Sequence, residues 1–120
     1  MQILYQIKNN GDEELDTLVE GNENSNTTII FVHGFGTQKD ESYGYFIDVA
    51  KALHSNYRTV RFDFSGYGKS QGKQVDVNYK KHAEDLKIIL DWTKEKFGGK
   101  IYIIAQSMGC FVTAFLSPDG

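Results

Sequence analysis

A serine between two small residues, in Ala105-Gln106-Ser107-Met108-Gly109, is the most chemically suggestive feature of the sequence. These residues lie between an apolar run, Ile101 to Ala105, and a second apolar stretch, Met108 to Leu116. A sharp strand-to-helix turn strains the backbone at its central residue and lifts that hydroxyl above a sheet, as a nucleophile requires. Neighbouring chain then passes close by, so small residues are needed two before and two after. Ala105 and Gly109 meet that demand. A helix beginning at the turn also directs backbone N–H groups toward charge developing near Ser107. The same residues equally suit a serine that only caps a helix, and the pentapeptide alone does not choose.

Two further loops carry residues of interest. His33-Gly34-Phe35-Gly36 follows the apolar run Ile29 to Val32, and its glycines let the backbone fold back over a sheet edge. The second is Asp63-Phe64-Ser65-Gly66-Tyr67-Gly68-Lys69-Ser70. Gly68-Lys69-Ser70 has the ending of a phosphate-binding loop, but the required first glycine falls on Asp63, whose carboxylate would repel phosphate. Gly66, Gly68 and Gly72 are one residue too widely spaced for a dinucleotide fingerprint. His33, His54 and His82 lack metal-ligand spacing and neither nucleotide-binding pattern fits, so no metal or organic cofactor is expected. His54 reads as a solvated residue at a helix end, His82 as a partly buried surface histidine, and Cys110 as a small core residue.

The elements that must position these loops follow from periodicity. Residues 2 to 8 and 15 to 20 read as two strands around the turn cluster Asn9-Asn10-Gly11-Asp12. Ile29 to Val32 and Ile101 to Ala105 are continuous apolar runs, as in strands buried on both faces. Tyr57 to Phe64 alternates around Val60 and Phe62, as a strand does. Phe46, Val49, Ala50 and Leu53 fall at helical spacing. Tyr79, Ala83, Leu86, Ile89, Leu90, Thr93 and Phe97 mark one face of a long helix stopped by Gly98-Gly99. Met108 to Leu116, apolar almost all round, predicts a buried helix. Strands alternating with helices predict an α/β domain: a mostly parallel sheet with an N-terminal antiparallel hairpin and helices on both faces. Function then belongs at the strands' C-terminal ends, where residues 33–37, 63–72 and 105–109 fall.

Composition narrows the function classes. The 120 residues carry 13 Lys+Arg against 16 Asp+Glu, a formal net charge of −3, which argues against a nucleic-acid binder. One cysteine forms no internal disulfide, which fits a reducing compartment. The apolar runs are far too short to span a membrane, and Met1-Gln2-Ile3-Leu4-Tyr5-Gln6 lacks a signal-peptide layout. A cytoplasmic location is expected. Asn26-Thr27-Thr28 matches a glycosylation acceptor, a use that this reading sets aside.

Taken together, the His33–Gly36 loop, the Asp63–Ser70 loop and the turn around Ser107 resemble the N-terminal half of an α/β-hydrolase, in that family's order and spacing. The resemblance covers residues 27 to about 117 and is strongest to small carboxylesterases, acylglycerol lipases and serine aminopeptidase-like hydrolases. It implies Ser107 as nucleophile, with the backbone N–H groups of Phe35 and Met108 forming an oxyanion hole. It implies support of the loop and turn by His33, Gly34, Gly36, Gln106, Gly109 and Asp63, and a small acyl-containing substrate.

A serine hydroxyl needs a base and a group that orients that base, which in this family follow the serine as acid and then histidine. No histidine follows Ser107 and Asp119 is the one carboxylate after it, so neither partner occupies a recognisable position. Two readings result: a single-domain piece, residues 1–120, of a longer hydrolase, weakly active or inactive by itself, or a non-catalytic binding or remnant module. A sheet ending at Ile101 to Ala105 would leave that strand as an uncovered edge, open to self-association.

Overall fold

Asn9 builds the first turn: its side-chain oxygen accepts hydrogen bonds from the N–H groups of Gly11 and Glu13, both at 2.9 Å. This Asx-type turn joins β1 (Gln2–Lys8) to β2 (Glu14–Gly21) as an antiparallel pair in which Tyr5 faces Thr17. The computed structural model describes residues 1–34, 36–73, 78–106 and 108–116, and of Met108, Phe111 and Phe115 the backbone alone. Among them the order continues with β3 (Thr27–Val32), a short turn at 42–44, α1 (Tyr45–Leu53) and β4 (Arg58–Phe62). It then closes with α2 (Tyr79–Phe97), β5 (Lys100–Ala105) and α3 (Met108–Leu116).

The five strands form one sheet in the order β1-β2-β4-β3-β5. β2 pairs antiparallel with β4, whereas β3 pairs parallel with both β4 and β5. Alternate residues of β3 face opposite layers, as strand geometry dictates. Ile29 and Phe31 pack with Phe46 and Ala50 of α1, while Ile30 and Val32 join Leu86, Ile89 and Leu90 of α2 and Val112 of α3. Helices therefore cover both faces, and the three parallel strands bring their C-terminal ends to one rim.

Several expectations need correction. β4 does not alternate between buried and solvated positions; all five of its residues are buried. Its arginines are covered by partners: Arg58 lies 4.2 Å from the Phe97 ring centre, and Arg61 pairs with Glu20 at 2.8 Å and with Asp40. On α2, Tyr79 is half-exposed and the buried face instead includes His82 and Asp85. Asp85 is drawn inward because its carboxylate accepts from Ser65 N–H and from the Asn9 side-chain amide, each at 2.9 Å. Burial nevertheless pushes its carboxyl above the usual carboxylate range.

α3 is only half-covered. Gly109 and Val112 are buried, whereas Cys110 and Ala114, four apart on one face, are exposed. Cys110 is thus not a core residue; its thiol reaches the Ala105 carbonyl at 3.2 Å. Beside it, β5 is an edge strand of the sheet, opposite β1, with Tyr102 57% exposed.

Candidate active site

At the rim, β3, β4 and β5 end beside one another, and the loops leaving β3 and β4 are tied together by buried polar groups. His33, fully buried, leaves β3 and uses both ring nitrogens. The Phe64 N–H donates to Nε2 at 3.0 Å, so Nε2 is the acceptor and Nδ1–H donates to the Gly34 carbonyl at 2.8 Å. Burial holds this imidazole below its ordinary pKa and keeps it neutral. A histidine with both nitrogens committed and no route to solvent is not available as a general base.

Asp63, at the end of β4, is likewise saturated. One carboxylate oxygen accepts from Lys39 N–H at 2.6 Å, and the other from Lys69 N–H at 2.9 Å. Its backbone carbonyl accepts from the Ser70 hydroxyl at 2.6 Å. Gly68 is required here: its φ is +51°, and a Cβ would lie 2.4 Å from the Asp63 carboxyl carbon. With the Lys69 amide taken by Asp63, this loop cannot cradle phosphate. The Lys39 ammonium bridges Asp16 at 2.6 Å and Asp63 at 3.3 Å. Burial alone would raise the Asp16 carboxyl and lower the Lys39 ammonium, but their contact outweighs it and drives both the other way.

The third loop is framed by β3. Gln106 N–H donates to the Val32 carbonyl at 3.1 Å, and Gly109 N–H returns to the Gln106 carbonyl at 2.8 Å. A Cβ on Gly109 would stand 2.3 Å from the Val32 carbonyl oxygen and 2.8 Å from that of His33. Only glycine lets α3 start this close to the end of β3. Ser107 and Phe35 themselves lie outside the described residues, and the backbone alone describes Met108. What is described is the frame on either side of them, including Gly36 with φ +75° and nothing within 4 Å of a notional Cβ.

One participant carries no recognisable signal in the sequence. Glu41 is 6% exposed and adopts φ 63°, ψ 176°, a region that is almost glycine-only and costs a side-chain-bearing residue about 1–3 kcal/mol. Its carboxylate accepts from Gly34 N–H at 2.7 Å, the Thr37 hydroxyl at 3.1 Å and Ser42 N–H at 3.1 Å. Between Glu41 and Gln106 opens a cleft of about 370 Å³ lined also by Ser42, Tyr43, Tyr45 and Asp48. Tyr43 and Tyr45 stand exposed at its mouth. Tyr67 instead is buried, 5.6 Å from His33 and 5.4 Å from His82 between ring centres.

The remaining histidines are elsewhere. His82 is not at the surface: it is 1% exposed, stacks on Phe64 at 4.5 Å, and neither ring nitrogen has a hydrogen-bond partner. Burial, reinforced by His33 and Lys81, lowers its pKa to about 4. His54 is half-buried rather than freely solvated, 3.3 Å from the Thr59 hydroxyl. Among the described residues no group of three or more His, Cys, Asp or Glu side chains could hold a metal ion, and no helix is long and apolar enough to cross a membrane.

Known proteins share this fold. The esterase Pf2001 of Pyrococcus furiosus superposes with a TM-score of 0.81 at 27% identity, over 93% of this chain and 45% of that one. Est1E of Butyrivibrio proteoclasticus, in a structure with ferulic acid bound, gives 0.82 at 24% identity over 94% of this chain and 46% of its own. In sequence, an uncharacterized protein of Acanthamoeba polyphaga mimivirus is 26% identical over 106 residues, 86% of this chain and 35% of that protein. The chain thus spans about a third to under half the length of these relatives. A family model for the alpha/beta hydrolase fold matches residues 27–119. Because that match takes in most of the sequence, with all three rim loops inside it, the chain belongs to the α/β-hydrolase family.

Proposed function

We propose that the parent protein is a serine hydrolase of carboxylic esters or related acyl bonds, with residues 1–120 forming the N-terminal portion of its fold. The close approach of Gly109 to the Val32 and His33 carbonyls carries this reading. A serine that merely capped a helix would not demand glycine two residues later, whereas a nucleophile turn pressed onto the neighbouring strand does. The esterase among the structural neighbours supports the reaction class.

In this reading Ser107 Oγ forms a bond to the acyl carbon as its proton passes to a base, and the carbonyl oxygen takes up negative charge facing the Phe35 and Met108 N–H groups. Collapse of that intermediate breaks the bond to the leaving alkoxide, which receives the proton. Water then repeats the sequence to release the acid. His33, Gly34, Gly36, Gln106, Gly109 and Asp63 hold the loops for it. The base and acid are assigned to the part of the fold present in the relatives and not spanned by this chain. For residues 1–120 alone, a second reading is favoured by the histidines: His33 is doubly bonded and His82 is buried near pKa 4, which suits a module that binds acyl compounds without turnover.

The test is incubation with a fluorophosphonate and with p-nitrophenyl esters, beside Ser107→Ala. Weak or no turnover and an adduct mapped to Ser107, lost in the variant, are expected, because loss of triad members lowers kcat by up to about 10⁶. Turnover that survives Ser107→Ala, or an adduct on another residue, overturns the serine mechanism. Binding of an acyl compound with neither adduct nor turnover selects the second reading for this chain.

A further inference from the structure

We infer that Glu41 is a positioning residue whose carboxylate fixes the His33–Gly34 peptide, the step of the chain that leads into the oxyanion-binding amide of the acyl-transfer reading. The inference rests on the acyl-transfer reading above and adds a residue that the sequence motifs do not contain.

Glu41 occupies a backbone conformation in which glycine would be unstrained, so the side chain must earn its place by what it touches. It touches Gly34 N–H, at 2.7 Å and out of solvent. The other end of Gly34 is pinned as well: its carbonyl accepts from His33 Nδ1–H at 2.8 Å and lies 2.9 Å from the Thr37 hydroxyl. That hydroxyl also lies 3.1 Å from the Glu41 carboxylate, so its single proton links the two fixings. A trans peptide is planar and carries its N–H opposite its C=O. The Gly34 N–H held by Glu41 belongs to the peptide entering this residue, and the carbonyl held by His33 and Thr37 to the peptide leaving it, so both peptide planes at Gly34 are tied.

General anchoring of the segment does not need Glu41. Lys39 is already bonded to Asp63 and Asp16, and Asp40 to Arg61. Glu41 reaches back instead to the peptide next to the proposed oxyanion site, and it also borders the cleft beside Gln106. An ion at this point gives a shorter and stronger bond to the amide than a neutral acceptor would.

The experiment uses the full 120-residue chain labelled with ¹⁵N, as wild type, Glu41→Gly, Glu41→Gln and Thr37→Val. Glu41→Gly relieves the strained backbone, so a purely structural role predicts an undisturbed or firmer loop. Positioning predicts that the Gly34 and Phe35 amide resonances move and exchange with solvent roughly tenfold or more faster, with the core amides of Ile30, Val60 and Leu86 unchanged. Glu41→Gln, a neutral acceptor of the same size, shows a smaller change, as does Thr37→Val; these two decide the matter if the glycine variant does not fold. Acetate restores the Gly34 resonance in Glu41→Gly. Where Ser107-dependent ester turnover is measurable, Glu41→Gly lowers kcat about 10–100-fold and leaves KM within about twofold, less than the loss of an oxyanion donor outright. Unchanged Gly34 and Phe35 resonances and exchange rates in Glu41→Gly overturn the inference whatever the turnover. Turnover indifferent to Ser107→Ala would instead overturn the acyl-transfer reading, with the amide measurements still deciding the positioning.

Discussion

The loops leaving β3 and β4 and the β5–α3 side flank the same rim but are built differently. On the first side, His33, Glu41, Asp63 and Lys39 are each held by two or more partners, and they link residues 16, 34, 39, 64 and 69 into one network. On the second, β5 is an edge strand of half-buried isoleucines, Tyr102 is exposed, and α3 turns Cys110 and Ala114 outward. One side of the proposed site is therefore held by a polar network within this chain, whereas on the other the described residues leave an edge strand and one face of a helix uncovered.

The largest effect that sharpens this contrast is expected at Asp63. Asp63→Ala strips a buried partner from two backbone amides and from the partly buried Lys39 ammonium, and removing one member of such a group costs about 3–5 kcal/mol. Asp91→Ala, which breaks the exposed Lys87–Asp91 pair at 3.0 Å, should change stability by less than about 0.5 kcal/mol. Urea unfolding of the two variants measures the difference; similar losses would mean that the buried network does not set the rigidity of that side.

Acid provides the next largest effect. His82 is protonated near pH 6.5 in the unfolded chain but only near pH 4 when folded, so between those values the unfolded state binds more protons. Stability accordingly falls as pH drops from about 6.5, by about 3 kcal/mol in total, and levels off below 4. The buried His33, also depressed, adds in the same direction; Asp85, raised by burial, opposes it in the carboxylate range. His82→Leu should flatten most of this slope and be no less stable at pH 7, because both ring nitrogens it removes are unpartnered. An unchanged slope in chemical denaturation between pH 7 and 4 would show that His82 is not the titrating group.

How far the sequence discloses all this follows the same division. Most strands and helices emerge from periodicity because they bury apolar residues, and β3, with six apolar or β-branched residues in a row, could hardly be anything else. Gly109 is legible because a close approach leaves a compositional trace. Glu41 is not: Lys39-Asp40-Glu41 reads as a solvated charged loop, and its burial arises from a backbone conformation that no residue type announces. His82 and Asp85 are obscured by Tyr79 and Ala83, which complete a plausible apolar face one step round the helix. α3 misleads in the opposite sense, since an all-apolar sequence says that a helix can be buried and does not say by what.

The smallest change to a single chain, and the one that bears most directly on the half-covered side, is at Tyr102. An edge strand presents unpaired N–H and C=O groups along its length, and β5 lies at the sheet's end with a 57% exposed aromatic on it. Pairing with a second copy would cover that edge, so the chain is expected to self-associate as its concentration rises. Tyr102→Lys places on this edge the residue type that natural sheets use to discourage pairing. Because the side chain is mostly in solvent, its effect on the unfolding free energy of the isolated chain should stay within about 0.5 kcal/mol. Sedimentation velocity over a concentration series separates the two quantities: the wild type shifts to larger species while Tyr102→Lys stays monomeric. A wild-type chain that sediments as one monomer throughout and melts cooperatively would show that β5 needs no cover, and the contrast between the two sides of the rim would then be one of polarity alone.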